Sequence, residues 1–85
     1  MKVYKHILKN DISVIMMNTA ARVLHVENQN EEICMWVTHC DMKENSARSF
    51  FIVGTGQEFE AESSAYRGTV MLQGGKYVFH VFERD

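Results

Sequence analysis

The sequence predicts an all-β domain of about seven short, mainly antiparallel strands, arranged as a small sandwich or partly open barrel with at most one helical turn. Three observations lead there. Apolar residues alternate with period two along most of the chain. The candidate strands recur at short intervals, separated by turns rich in Asn, Asp and Gly. Composition does not shift anywhere, and there is no low-complexity tract or clear repeat, so the 85 residues read as one β domain, 1–85.

"KVYKHIL" opens as a strand, with Tyr4, His6 and Leu8 on one face and Val3 and Ile7 on the other. "KND" turns the chain, "ISVIMM" is the second strand and "NTA" breaks it. In "ARVLHVEN" strict alternation puts Leu24 with Val26 and sets Val23, His25 and Glu27 opposite. "ENQNEE" is a hairpin signal, because Asn tolerates left-handed backbone. "EICMWVTHC" then returns with Ile33, Met35 and Val37 against Cys34, Trp36 and Thr38. Its centre is apolar on both faces, as in an interior strand.

"DMKENSA" reads as a polar loop and "RSFFIVG" as another two-sided apolar strand. "TGQEFEAESSA" is the longest irregular segment, with a possible helical turn from Glu58 to Ser63. "YRGTVML" and "KYVFHVF" are strands joined by the tight turn "QGG", and "ERD" is a charged tail. Trp36, Phe50, Phe51, Tyr77, Phe79 and Phe82 are the expected core aromatics. The chain contains no proline, so turns rest on Gly, Asn and Asp alone.

The composition restricts function more than it assigns it. A net charge of −2 without a basic run argues against a nucleic-acid polymer as partner. The absence of a long apolar stretch argues against a signal peptide or a membrane partner, and cytoplasmic residence is expected. Cys34 and Cys40 make no disulfide framework and lack zinc spacing. His39 and Cys40 are adjacent, so on a strand they point to opposite faces and do not share a metal. No metal and no cofactor are expected.

Gly54-Thr55-Gly56 admits two readings. A phosphate cradle needs successive N–H groups facing an anion, usually at a helix start, and the P-loop adds a Lys and a Ser/Thr. Here Gln57 and Glu58 follow, and Glu60 and Glu62 would repel phosphate. A strand end or bulge is the favoured reading. Arg48 and Arg67 could each hold a ligand's phosphate or carboxylate, or pair with a glutamate. Any small-ligand site is expected near Arg48, Thr55, Gln57, Arg67 and Thr69, the polar residues flanking the strand ends around the glycine turn.

Several segments together carry a resemblance. "ARVLHVENQNEEICMWV", "RSFFIVGTGQ", "YRGTVML" and "YVFHVFE" resemble a small uncharacterised domain-of-unknown-function family of bacteriophages, prophages and plasmids. The shared pattern is Leu-x-Val-x-x-Gln, Leu-Trp, Arg-x-Phe leading to Gly-Thr-Gly, and His-Val-Phe-Glu. Ala21, Leu24, Val26, Gln29, Trp36, Arg48, Gly54, Thr55, Gly56, Gly68, Thr69, His80, Val81, Phe82 and Glu83 match it. The chain departs from the pattern at "MNTA", where the family carries proline, and at Gln57, where it carries histidine. It also departs at "THCD", where the family carries Val-Asp-Pro.

The resemblance implies a small accessory protein and transfers no active site. The expected function is stoichiometric, non-enzymatic binding, of a host protein (as an inhibitor of host defence) or of a small anionic signalling nucleotide. A structural or assembly protein acting through homo-oligomerisation is the alternative, and a small hydrolase using His80 or Cys40 ranks last. A homodimer or larger assembly is expected, because strands apolar on both faces leave an uncovered patch in so small a domain.

Overall fold

The structure, a computed structural model, describes residues 1–40 and 44–84. Its strands are β1 (Lys2–Leu8), β2 (Ile12–Asn18), β3 (Val23–Gln29), β4 (Glu32–His39), β5 (Asn45–Gly54), β6 (Ser64–Leu72) and β7 (Tyr77–Arg84). All pair antiparallel, in a three-stranded sheet of order β1-β4-β3 and a four-stranded sheet of order β2-β5-β7-β6. The two sheets pack together as the expected sandwich and do not close into a barrel. No helix of the described residues is long and apolar enough to cross a membrane.

β4 and β5 are interior strands, as their two-sided apolar sequences require. The β3–β4 hairpin turns at Asn30 and Glu31, both with positive φ (57° and 62°). Residues 73–75 form the tight β6–β7 turn, with positive φ at Gln73, Gly74 and Gly75 (50°, 66° and 96°). The helical turn expected at Glu58–Ser63 does not form. Only the 45–47 part of the expected loop "DMKENSA" belongs to β5, and residues 41–43 lie outside the described residues.

The core lies between the sheets. Leu8, Ile33, Met35, Val37 and Val26 from the first sheet meet Met17, Phe50, Val70 and Val81 from the second. Of the expected core aromatics, Phe50 is fully buried and Phe79 packs at the core's edge. Trp36, Phe51 and Phe82 fall on the outward faces instead, and Tyr77 is exposed. The reason is parity: Phe51 follows the inward Phe50, and Phe82 follows the inward Val81.

Two bulges overturn the strict alternation. In β3 the register shifts between Val23 and His25, so Val23 packs on the core with Val26 while Leu24 is exposed. In β6 it shifts between Tyr66 and Gly68, leaving Arg67 as the extra residue. The two sheets approach closely where these strands meet: a Cβ on Gly68 would stand 3.0 Å from the Cβ of Val26. A larger residue fits there only if Val26 gives by a few tenths of an ångström.

Gly68→Ala is therefore expected to destabilise the fold by about 1–3 kcal/mol in a urea titration. The added methyl group meets a side chain rooted in the facing backbone. Val26→Ala in the same chain should recover part of that loss, although Val26→Ala alone also destabilises.

Candidate functional site

Glu83 was expected in a charged tail. It is instead the penultimate residue of β7 and is only 8% exposed. Its carboxylate accepts from Arg48 Nε at 2.6 Å and Nη2 at 2.9 Å, a bidentate fork from the neighbouring β5. Arg67 Nε donates to the same carboxylate at 3.0 Å from β6 on the other side. Arg48 Nη1 also donates to the backbone carbonyl of Ala21 at 2.7 Å. Burial pushes the Glu83 carboxyl up, but the hydrogen bond from Arg48, then that from Arg67, outweighs it and holds the group below its ordinary value. The hydrogen bond to Glu83 in turn raises Arg48. Both candidate arginines thus display the glutamate-paired alternative.

The candidate threonines lie on the opposite face of the four-stranded sheet, around His80. Thr55 Oγ1 is 2.8 Å from His80 Nε2, and Thr69 Oγ1 is 3.0 Å from His80 Nδ1. Tyr66 extends the chain through a 2.5 Å hydrogen bond to Thr69. The result is a Thr–His–Thr–Tyr ladder across β7 and β6. A hydroxyl beside an imidazole is the beginning of a nucleophile and base pair. Here the second imidazole nitrogen meets another hydroxyl, where a carboxylate would stabilise the imidazolium.

Gly-Thr-Gly is a turn. Gln57 N donates to Gly54 O at 3.0 Å and Gly56 has φ +88°, the hydrogen bond and positive φ of a type II turn. Gly54 N donates to Gln57 Oε1 at 3.0 Å, and Thr55 N to Val78 O at 3.2 Å. With three of the four amides of 54–57 used, no phosphate cradle remains. Gln57 therefore serves as the side chain that closes the turn.

Beyond the turn, residues 55–63 fold over the outer face of the four-stranded sheet. Phe59 sits on Phe82 at 4.7 Å between ring centroids and on Phe51 at 6.0 Å. Phe51 stacks on Phe82 at 5.7 Å, and Tyr66 meets Phe82 edge-on at 5.7 Å. The Arg84 guanidinium lies 4.7 Å above the Phe51 ring and donates to Glu60 O at 2.9 Å. Between this cover and β2 runs a cleft of about 320 Å³, walled by Ile12, Phe51, Phe59, Gln57 and Arg84, with the acidic Asp11 also in its lining. Of the five candidates only Gln57 lines it. Phe59, Arg84 and Phe82 were not among the candidates, and their convergence requires β5 and β7 to be neighbours.

Among the described residues no group of three or more His, Cys, Asp or Glu side chains converges to hold a metal. A smaller gap, lined by His6, His39, Met16, Met17 and Val37, opens between β1, β4 and β2. Cys34 is buried and Cys40 partly so, both as free thiols.

Two outcomes are expected. Because the folded pKa of Glu83 is depressed, its stabilisation is complete above the unfolded carboxyl value of about 4.3 and is lost as pH falls through the folded value. Glu83→Gln should cost about 3 kcal/mol at pH 7, since it leaves two arginines without a counter-charge. It should also flatten the stability profile below pH ~5 in urea titrations. His6, lowered by burial, contributes a separate loss that begins nearer pH ~6.5 and persists in the variant. Gly56→Ala should cost about 1 kcal/mol by thermal unfolding, from the positive φ alone.

No curated protein and no solved structure matches the chain. A family model does, over residues 1–85. The match runs from the first strand through the Glu83 cluster, and the chain belongs to the family described as domain of unknown function DUF7352.

Proposed function

We infer that this chain is a small accessory protein of phages or mobile elements that acts by stoichiometric binding, and that the cleft beside Phe59 is its ligand site. One observation carries the reading: a cleft walled by Phe51, Phe59 and Ile12, with the Arg84 guanidinium over the Phe51 ring. A cleft of about 320 Å³ lies at the lower end of the range for small-molecule sites. Exposed aromatic rings stack a planar base regardless of its sequence identity, and Arg84 can hold an anion bidentately. A signalling nucleotide has both parts. Gln57 lines the cleft and can hydrogen-bond a sugar or phosphate, whereas Thr55 and Thr69 lie outside its lining, paired with His80. Arg48 and Arg67 support the sheet beneath through Glu83.

The ligand would be sequestered unchanged. His80 sits between two hydroxyls, so the ladder supplies hydrogen bonds and no charge-stabilised base. Such a role places the protein in the cytoplasm of the host, where signalling nucleotides act.

Calorimetric titration against a panel of cyclic mono- and dinucleotides tests this. At least one should bind with ligand returned intact. Phe59→Ala should weaken that binding about 5- to 150-fold, the worth of one base–aromatic stack. If no nucleotide produces heat, and the amide signals of Phe59 and Arg84 stay unmoved at millimolar ligand, the nucleotide reading fails and a protein target takes its place.

A further inference from the structure

We propose that the free edge of β2 is a docking surface for a second copy of this chain, so that two four-stranded sheets join into one of eight strands about a two-fold axis at Val14. The inference is independent of the cleft and of its ligand.

The backbone carries the first part of the argument. In an antiparallel ladder alternate residues turn their peptide groups towards the partner strand. Ile52 N donates to Asp11 O at 2.8 Å and Thr19 N to Glu44 O at 2.7 Å, so the odd-numbered residues of this stretch face β5. The N–H and C=O groups of Ile12, Val14 and Met16 therefore point away from the sheet. Among the described residues no strand lies along that side. A row of such groups, solvated in the single chain, is a ready template for another strand.

Side chains carry the second part. Ile12, Val14 and Met16 are 68%, 64% and 63% exposed. The same three residues present both the unused backbone groups and the bare apolar side chains.

The other edges are protected. β3 and β6 pack against each other, with Val26 at the Gly68 backbone. β1 carries Lys2 and Lys5, the charges with which natural edge strands discourage pairing. β2, "ISVIMMN", has neither charge nor proline.

Charge selects the occupant. A strand bearing Lys, Arg, Asp or Glu would set an unpaired charge on this neutral stripe. A strand of matching neutrality and matching spacing is β2 itself. In a register centred on Val14, Ile12 faces Met16 of the partner subunit, Val14 faces its equivalent, and Met16 faces Ile12 of the partner subunit. The three pairs use every outward-facing group of those residues. Asn18, whose side chain already donates to Cys40 O at 2.6 Å, is left out. Such an interface is isologous and stops at two chains. The contact is confined to one strand edge, so the dimer is expected to dissociate on dilution.

Sedimentation equilibrium from about 10 µM to 1 mM is the test, with amide hydrogen exchange read at both ends of the range. The mass should rise from 9.8 kDa towards twice that value, and the amides of Ile12, Val14 and Met16 should gain protection with concentration. Val14→Lys brings two ammonium groups together at the axis and should return the protein to a monomer with an unchanged circular dichroism spectrum. Val3→Lys, on the guarded edge of the other sheet, should leave the dimer intact. A monomer at 1 mM overturns the proposal. So does a dimer that survives Val14→Lys, or a mass that keeps growing beyond two chains.

Discussion

A buried carboxylate holds the four-stranded sheet in register. Glu83 on β7 is gripped by Arg48 from β5 and Arg67 from β6, and Arg48 reaches on to the Ala21 carbonyl at the entrance to β3. Three strands of one sheet and the chain entering the other are thereby tied at one end of the sandwich. The apolar pattern could not do this alone. β5 presents Phe50 and Ile52 on one face and Phe51 and Val53 on the other. A slip of one residue would exchange two apolar faces at little hydrophobic cost. It would also turn Arg48 away from Glu83 and strand a buried charge, a loss of several kcal/mol. The charges remove a degeneracy that the apolar residues leave open.

That division explains what could be read from the sequence. Strand positions were legible because period two is a local property, and so was the Gly74–Gly75 turn, where positive φ selects glycine. The β3–β4 hairpin was legible, but its turn falls at Asn30–Glu31 and not over Asn28–Asn30, with Glu31 taking a positive φ that its residue type does not signal. The interior placement of β4 and β5 followed from their two-sided apolar sequences. The bulges were not legible. Each adds one residue and reverses the parity beyond it, which exposed Leu24 and made Arg67 the extra residue between Tyr66 and Gly68. Glu83 looked like part of a tail because its two partners lie 35 and 16 residues away. Gly-Thr-Gly was legible as a strand end, because the residues after it suit a turn and repel an anion. The cleft was not, since Phe51, Phe59 and Phe82 meet only in the strand order β5-β7-β6.

The two outer faces of the sandwich differ in degree. On the three-stranded sheet the outward positions mix His25, Glu27, Gln29 and Lys5, which donates to Gln29 at 2.7 Å, with the apolar Val3, Ile7 and Trp36. On the four-stranded sheet the outward positions include Ile12, Val14, Met16, Phe51, Val53 and Phe82. A third layer would normally cover such a face, and no α-helix of the described residues supplies one.

The nine residues between β5 and β6 supply a partial substitute. Phe59 lies over Phe51 and Phe82, and Val53 is only 4% exposed although it points outward. The cover extends over β5 and β7 and stops short of β2. A cleft forms at its margin because a ring stacked on one pair of strands cannot also fill the step down to the next. Arg84 sits at that step with its guanidinium over the Phe51 ring at 4.7 Å and one Nη on the Glu60 carbonyl. Aromatic rings and a guanidinium thus meet at the boundary between the covered and the bare halves of the sheet. It follows from how far nine residues can reach.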